Sequence, residues 1–560
     1  MKHLSALFAL ALVVLLYSVP APVGHGSAAI SSDLAATLET QGSAKAWVFF
    51  RDKGLHGADL REALAVAEAS LPDRTARRRA KVMPAGALVD ENDLPVSERY
   101  LARIAAAGAE IHRSSRWLNA ASATVDQSVV DRLAALPEVV RLDQVRGLRS
   151  VEIPTPVTED FPPLPAMRPK ADGLDYGANL AAMQQANVLP LHDQGLSGAG
   201  VVVGVLDTGF RNLHESLDHL PVISAYDFVA NDSDVDQEPE DPAGSRNHGT
   251  MVLSVMAGYT PGELIGPAFG ASVILARTED IGQEVPAEED DWVSGMEWVE
   301  FLGADIVNSS LGYNDWYDFA SLDGETAVTT IAADLAVGRG LVVLNAAGND
   351  RNSSGLLIAP ADGDSVITVG GVDINDNLAP FSSPGPAGDG RTKPDVCALA
   401  VSNPLANPND DTAYGSASGT SFATPLTTGV VALMLERVPG LTPMQIREAL
   451  RMTASQAGAP DNDFGWGTID AWAAATWWGP VFAHALLENT NDAVAYSDGY
   501  VFTTAGAANV MSVLSRLALD LELWSTTEYD FLDFGVGAGS FMMPNKRSNQ
   551  GTLEEIMTGA

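Results

Sequence analysis

The residue of this chain best placed for nucleophilic chemistry is a serine that opens an apolar helix. Ser421 lies in the segment GTSFATP at residues 419–425, which leads into the apolar stretch VVALML at 430–435. The first turn of a helix offers unpaired backbone N–H groups and the positive end of the helix dipole, and both stabilise developing negative charge. Because a serine in this position is usually only an N-cap, a catalytic role requires a base and an acid elsewhere in the chain.

Two upstream segments supply a carboxylate and an imidazole in suitable settings. The apolar run VVVGVLDTG at residues 201–209 predicts a buried parallel strand. Its carboxyl end carries Asp207, at the ligand-binding edge of an open α/β sheet. His248 opens the predicted apolar helix HGTMVLSVMAG at 248–258. Either residue alone is more simply a cap or a hydrogen-bonded polar side chain, whereas the two together are the partners that a nucleophilic serine needs.

The three segments, in the order Asp207, His248 and Ser421, resemble the active-site signatures of the subtilisin-like serine peptidases, the subtilases. The resemblance covers about residues 176–475 and implies an α/β fold, a three-layer sandwich around a mostly parallel sheet. It also implies that Ser421 is the nucleophile, His248 the general base and then acid, and Asp207 the carboxylate that holds the imidazole tautomer. An α/β-hydrolase esterase is disfavoured by the residue order and by Ala423, which stands where Gly-x-Ser-x-Gly has its second glycine.

A fourth segment, LVVLNAAGN at residues 341–349, predicts a buried strand that runs into a turn. In the family, the asparagine of Ala-Ala-Gly-Asn donates its side-chain amide to the oxyanion. By resemblance this residue is Asn349, and the backbone N–H of Ser421 is the second donor. Asn345 is the alternative, but it falls within the strand, whereas Asn349 follows the turn glycine. One such donor contributes about 3–4 kcal/mol of transition-state stabilisation.

The resemblance extends to the segment ADIVNSSLG at residues 304–312. In subtilases the Ser-Leu-Gly stretch forms an edge that pairs with the substrate backbone, and such pairing accepts an extended peptide of almost any sequence. The small residues of the Ala-Ala-Gly segment would wall the primary pocket and suggest a roomy, mainly apolar space. The residues with implied substrate-binding roles are Ser310, Leu311 and Gly312 in the edge and Ala346, Ala347 and Gly348 in the pocket wall.

The chain in front of the catalytic segment divides into three parts. Residues 1–29 combine Lys2 with an apolar stretch and small residues, which is the composition of a secretory signal peptide. Residues 30–150 alternate strand and helix patterns and predict a small α+β domain, similar in pattern to inhibitory subtilase propeptides; a substrate-binding or adhesion domain is the alternative. Residues 151–175 contain six prolines and predict an extended linker, with maturation cleavage somewhere in 148–176.

The negative charge of the chain is concentrated behind this linker. Residues 176–560 contain 51 of the 72 Asp and Glu but only 13 of the 33 Lys and Arg. Such a charge argues against nucleic acid as a partner, because its phosphates would be repelled. No other apolar stretch of 18 or more residues follows the signal segment, so no membrane contact is expected after its removal. Residues 476–560 differ in pattern from the catalytic segment, and the sequence assigns them no role.

Acidic residues cluster at two places. Asp232, Asp234 and Asp236 alternate as in oxygen-ligand calcium loops, but the segment lacks the glycine and glutamate spacing of an EF-hand. They are weak candidates for a structural calcium site, with a solvated acidic loop as the alternative. The second cluster, at 279–291, would favour basic side chains in a bound peptide, or is simply a solvated face. The chemistry itself requires no cofactor, and Cys397, the only cysteine, is expected to replace a small buried residue.

These features predict a secreted, self-processing serine endopeptidase, located outside the cell or in the periplasm or cell envelope. Its expected partners are protein or peptide substrates and its own propeptide. The alternative is a non-catalytic subtilase-like protein used for binding or as a scaffold. That alternative is disfavoured because all three triad residues and the oxyanion asparagine are present.

The acidic catalytic segment also predicts a mature enzyme that tolerates or requires salt, because screening relieves the repulsion between its carboxylates. We expect peptidase activity to be maintained or to increase between about 0.1 and 1 M NaCl. A steady loss of activity over this range in a peptide-hydrolysis assay would contradict the interpretation.

Overall fold

The computed structural model describes residues 28–84, 86–145, 173–281, 289–313 and 317–477 and, beyond them, the backbone of five short strands. Most of the predicted signal segment and of the predicted linker therefore lies outside the described residues. Ala28 packs in the N-terminal core and Ala29 pairs with Arg141, so the last two residues of the predicted signal segment belong to the described domain. No helix in the described part of the chain has the length and apolar character needed to span a bilayer.

The N-terminal domain is an α+β sandwich built on a five-stranded sheet of order β1-β5-β2-β4-β3. The alternation of strands and helices that the sequence predicts for this domain is present. Its strands are Ala29–Ile30 (β1), Ser43–Phe50 (β2), Glu110–Ser115 (β3), Ala120–Asp126 (β4) and Val139–Gln144 (β5). Its helices are Ser32–Gln41 (α1), Gly57–Ala69 (α2), Asp73–Arg79 (α3), Glu98–Ala106 (α4) and Gln127–Ala134 (α5).

The second domain contains the large sheet and the candidate catalytic residues. Its helices are Leu180–Gln185 (α6), Leu189–Asp193 (α7), Asn247–Ala257 (α8), Glu289–Phe301 (α9), Val328–Val337 (α10), Thr420–Arg437 (α11), Pro443–Thr453 (α12) and Ala471–Ala475 (α13). Its strands are Val202–Asp207 (β6), Val222–Asp227 (β7), Tyr259–Thr260 (β8), Leu264–Ile265 (β9), Ser272–Arg277 (β10), Ile306–Ser309 (β11), Val342–Ala346 (β12), Ile367–Val372 (β13), Val396–Leu399 (β14), Asn403–Ala406 (β15) and Tyr414–Ala417 (β16). Further along lie Ala493–Tyr496 (β17), Gly499–Phe502 (β18), Leu521–Ser525 (β19), Asp530–Phe534 (β20) and Asn549–Thr552 (β21).

Seven strands of the second domain form one sheet in the order β14-β13-β12-β11-β6-β10-β7, with every neighbouring pair parallel. One apolar core joins one face of the sheet to α8 and α11, and another joins the opposite face to α9 and α10. The predicted three-layer sandwich around a mostly parallel sheet is therefore confirmed. Strands of this kind are apolar along their whole length because helices cover both faces.

The parallel register brings the ends of three central strands to the same edge of the sheet. Ser309, the last residue of β11, pairs with Leu206 of β6 and with Asn345 of β12. The chain therefore leaves all three strands side by side, at the edge where open α/β sheets bind ligands. The segments that carry Asp207, Ser310 and Asn349 start from this line.

Helix α11 runs through the core and begins at the same edge. Residues 420–435 are all buried, so protein surrounds this part of the helix on every side. Pro425 lies within the helix and has no N–H, so it cannot donate to the carbonyl oxygen of Ser421, four residues earlier. That oxygen is consequently available to a partner outside the helix.

Cys397 lies in β14 and is fully buried. Burial raises the pKa of its thiol, which keeps the sulfur protonated and unreactive at ordinary pH. The position is therefore a packing position, as the sequence predicts.

Candidate active site

Asp207 and His248 are brought together by the contact between β6 and α8. The Nδ1 atom of His248 lies 2.8 Å from Oδ1 of Asp207, which also accepts the N–H of Thr208 at 2.8 Å. Both side chains are buried. Because a carboxylate oxygen accepts here, Nδ1 carries the proton and Nε2 keeps its lone pair. This is the tautomer that can take a proton from a hydroxyl group.

The close approach of α8 depends on the residue after the histidine. A Cβ atom on Gly249 would lie 2.3 Å from the carbonyl oxygen of Gly209 and 3.0 Å from Cβ of Asp207. Any side chain at this position would push α8, and with it the imidazole, away from the carboxylate. The glycine is thus part of what positions the Asp207–His248 pair.

Ser421 is the second residue of α11 and exchanges hydrogen bonds with the end of β11. Its hydroxyl donates to the carbonyl oxygen of Ser310 at 3.2 Å, and the Ser310 hydroxyl donates to the carbonyl oxygen of Ser421 at 2.9 Å. The second bond uses the oxygen that Pro425 leaves unbonded. This reciprocal pair ties the predicted substrate edge directly to the predicted nucleophile.

His248 lies beside the same helix turn, with its ring centroid 6.0 Å from that of Phe422. Among the described residues, Ser421 Oγ makes no direct hydrogen bond to His248. The hydroxyl must therefore exchange the Ser310 carbonyl for the imidazole before it can be deprotonated. Catalytic hydrogen bonds often form only when substrate is bound.

Asn349 lies next to the segment that carries Ser421, and the oxygen of its side-chain amide accepts two hydrogen bonds from that segment. Its Oδ1 accepts the backbone N–H of Thr420 at 2.9 Å and the Thr420 hydroxyl at 3.1 Å. The side chain is exposed, and a Cβ atom on Gly419 would lie 3.5 Å from its Nδ2. Because the oxygen accepts both of these bonds, the N–H bonds of Nδ2 are available to another acceptor.

Asn345, the alternative oxyanion donor in the sequence, donates its side-chain amide to backbone carbonyl oxygens instead. It is buried, and its Nδ2 donates to the carbonyl oxygens of Leu311 at 3.1 Å and Ala346 at 2.9 Å. These bonds hold the two predicted substrate segments together. The geometry thus favours Asn349 as oxyanion donor, although the role itself stays a prediction.

The predicted substrate edge and the predicted pocket wall both contact Ile358. A Cβ atom on Gly312 would lie 2.4 Å from Cγ1 of Ile358, and one on Gly348 would lie 2.9 Å from its Cγ2. The Ile358 N–H donates to the carbonyl oxygen of Ala347 at 3.2 Å. The isoleucine therefore occupies the space between the glycines. It would make the predicted pocket shallower than the small wall residues suggest, because this side chain comes from a loop that the motif does not include.

The predicted calcium loop has its carboxylates engaged within the protein. The Asp232 carboxylate accepts the Asp234 N–H at 2.8 Å, and the Asp234 carboxylate accepts the Asp236 N–H at 3.0 Å. Asp236 pairs with Arg246 at 2.9 Å and with Arg211 at 3.9 Å. Within the described ranges, no group of three or more His, Cys, Asp or Glu side chains is arranged to hold a metal ion. Calcium at these three residues is an expectation without geometric support.

Comparison with known proteins identifies both domains. The model of the Subtilase family matches residues 198–467, and a Peptidase S8 propeptide domain of Bacteroidota matches residues 45–158. Subtilisin E of Bacillus subtilis (strain 168) is 30% identical over 374 residues, which is 66% of this chain and 84% of that protein. The chain belongs to the subtilase family. It is a serine-type endopeptidase that carries an N-terminal propeptide domain.

Two further relatives extend the comparison. The halolysin-like extracellular serine protease Nep of Natrialba magadii is 32% identical over 305 residues, 54% of this subtilase and 52% of Nep. The crystal structure of fervidolysin from Fervidobacterium pennivorans has a TM-score of 0.53 at 20% identity. It covers 79% of this chain, which spans 66% of fervidolysin. The structural likeness supports the fold alone.

The propeptide domain also accounts for part of the second acidic cluster. Asp290, in the first turn of α9, pairs with Lys45 at 2.8 Å, and its neighbour Asp291 pairs with Arg113 at 2.6 Å. Both bases belong to the propeptide domain. These two acids face the propeptide in this structure, a contact that the sequence analysis missed because nothing in a charge cluster shows which domain covers it.

We predict that Asn349→Asp lowers kcat about 10²- to 10³-fold with little change in KM, because the carboxylate keeps the Thr420 contacts but cannot donate to an oxyanion. Steady-state kinetics on a peptide substrate measure the effect. The matched control is Asn352→Asp, an exposed residue of the same loop that donates to the Pro380 carbonyl oxygen. A kcat within threefold of the unmodified enzyme would remove Asn349 from the proposed oxyanion site.

Proposed function

We propose that this subtilase is an exported, self-processing endopeptidase that cleaves peptide bonds through an acyl-enzyme formed on Ser421. The observation that carries the proposal is the 2.8 Å contact between His248 Nδ1 and Asp207, with Nε2 left as a proton acceptor close to the first turn of α11. The alternative of a non-catalytic scaffold gains no support, because the chain retains all three residues of the proposed triad and the proposed oxyanion asparagine.

Substrate binding would begin at the end of β11. A peptide that pairs with residues 310–312 brings a main-chain N–H to the Ser310 carbonyl oxygen, which accepts the Ser421 hydroxyl in the free enzyme. The arriving N–H competes for that oxygen and leaves the hydroxyl to His248. Substrate binding and activation of the nucleophile would in this way be coupled through a single acceptor.

The chemical steps follow from the same groups. Ser421 Oγ attacks the scissile carbonyl carbon while His248 Nε2 takes its proton, and Asp207 stabilises the resulting imidazolium. Asn349 Nδ2 and the Ser421 N–H donate to the oxyanion, at the positive end of the α11 dipole. His248 then returns the proton to the leaving amine as the C–N bond breaks. Water, deprotonated by His248, then attacks the acyl carbon. The bond to Ser421 Oγ breaks, and His248 returns the proton to that oxygen.

The precursor organisation supports export and self-processing. The propeptide domain precedes a proline-rich segment at 151–175, where we place the cleavage within 148–176, and the predicted signal peptide occupies residues 1–29. The Natrialba magadii relative is named an extracellular protease. Protein or peptide substrates and the released propeptide are the proposed partners. Residues 476–560 keep no assigned role, and structural calcium, common in the family, is not required by the chemistry.

The nucleophile assignment predicts that Ser421→Ala lowers peptide turnover about 10⁶-fold and leaves the precursor uncut. Peptide hydrolysis and mass spectrometry of the chain ends measure the two effects. Ser353→Ala, which removes an exposed hydroxyl, should process and turn over normally. Normal maturation of Ser421→Ala in a protease-free host would contradict self-processing, and measurable turnover would contradict the nucleophile.

The position of Ile358 predicts a preference for small side chains at the residue before the scissile bond. Ile358→Ala opens the space between Gly312 and Gly348, so the ratio of kcat/KM for a phenylalanine peptide to that for an alanine peptide should rise about tenfold or more. Leu356→Ala makes a similar truncation two residues earlier in the chain and should leave the ratio unchanged. An unaltered ratio in Ile358→Ala would show that the pocket lies elsewhere.

A further inference from the structure

The propeptide domain contacts the catalytic domain through two elements, and both of them reach Glu300. Its sheet packs on α9, where Glu297 accepts the Ser115 hydroxyl at 2.5 Å and the Trp117 N–H at 3.1 Å. A second element, which we call the docking arm, is formed by residues 72–96, between α2 and α4. It contains α3 and a short 3₁₀ turn at Glu91–Asp93. Its contacts with the catalytic domain lie at or just beyond the carboxyl ends of α9 and α10.

The docking arm caps the carboxyl end of α9 and also contacts the loop that follows α10. Carbonyl groups at the end of a helix lack partners within it, and cations are favoured there by the helix dipole. Three side chains of α3 donate to such carbonyl oxygens and to the loops that follow. They are Thr75 to Phe301 at 2.7 Å, Arg74 to Gly303 at 2.8 Å, and Arg78 to Glu300 at 3.0 Å, Ala304 at 2.5 Å and Arg339 at 3.2 Å.

The arm and the catalytic domain also complete one buried ion cluster. Glu300, in α9, accepts from Arg79 at 2.8 and 2.9 Å and pairs with Arg78. Asp93, from the arm, bridges Arg79 at 2.9 Å and Arg339 of the catalytic domain at 3.0 Å. All five side chains are at most 4% exposed. Neither domain contains the full set, so the cluster exists only while they are together.

The position of the arm separates it from the catalytic machinery. Helix α9 leads into β11 and α10 into β12, so the carboxyl ends of these helices lie where the strands begin. The cleft lies where the same strands end. Arg74 of the arm pairs with Asp305, which immediately precedes β11. Ser310 follows β11, at the opposite end of the strand. A change in the arm therefore alters docking without touching the triad.

We propose that the docking arm retains the propeptide on the catalytic domain after the linker is cut, through the capped end of α9 and the ion cluster. Its release requires several buried polar contacts to break before water can replace them. Loss of one partner from a buried charge pair acts mainly on the dissociation rate. The proposal rests on the proposed cleavage between the domains, and its test is therefore made with cleavage supplied from outside.

The experiment uses the full chain with Ser421→Ala, a site-specific protease sequence inserted in 155–165, and a tag that immobilises the catalytic domain. After the added protease cuts the linker, the rate at which the propeptide washes off is measured. Asp93→Asn leaves Arg79 and Arg339 without their bridging carboxylate and should accelerate release at least tenfold. Asp73→Asn removes the same charge from an exposed position of the arm and should stay within twofold.

Glu300→Gln supplies an independent variant from the catalytic side and should also accelerate release at least tenfold, so a folding defect in one domain does not leave the proposal undecided. Because the cluster is buried, the unmodified release rate should change less than about threefold between 0.1 and 1 M NaCl. Release of both variants at the unmodified rate, or a strongly salt-dependent rate, would overturn the role of the arm. A failure of self-processing would instead appear only in chains that retain Ser421.

Discussion

The constraint on which the rest of the structure depends is the parallel alignment of β6, β11 and β12. Because neighbouring parallel strands run in one direction, their carboxyl ends meet at one edge, and Ser309 lies between Leu206 and Asn345. Residues far apart in the chain then need only a short turn to reach one another. The helices that return between these strands must cover both faces, which produces the three layers and buries α11 with the nucleophile at its first turn.

In the proposed mechanism, the carbonyl oxygens of Ser310 and Ser421 couple substrate binding to activation of the serine. Pro425 withholds an N–H from the helix, the Ser310 hydroxyl takes the freed oxygen, and the Ser421 hydroxyl rests on Ser310 in return. The proposed nucleophile thereby donates to the acceptor that an extended peptide would use. In the proposed mechanism, substrate binding would release the serine hydroxyl to its base.

Charged side chains of this protein occur in two settings, at the solvent-exposed surface and in contacts between the two domains. Some carboxylates of the catalytic segment, such as Asp364 and Asp410, are exposed to solvent, where salt screens their repulsion. Basic side chains of the propeptide domain instead meet Glu300, Asp290 and Asp291 in buried or partly buried contacts, which salt screens much less. Burial raises the pKa of Asp291, and the adjacent Asp290 adds to the effect, whereas Arg113 and Lys45 oppose it.

Local sequence was sufficient to predict the strand that carries Asp207 and the helix that carries Ser421. In each of them a continuous apolar run accompanies the polar residue. The α+β pattern of the N-terminal domain was likewise predictable from its alternating strands and helices. Sequence could not show that Ile358 fills the pocket, that Ser310 and Ser421 share hydrogen bonds, or that Asp93 and Glu300 join one cluster. Those features depend on contacts between residues up to hundreds of positions apart. Periodicity and spacing report only what neighbours in the chain do, and only the tertiary fold decides which distant side chains share a buried space.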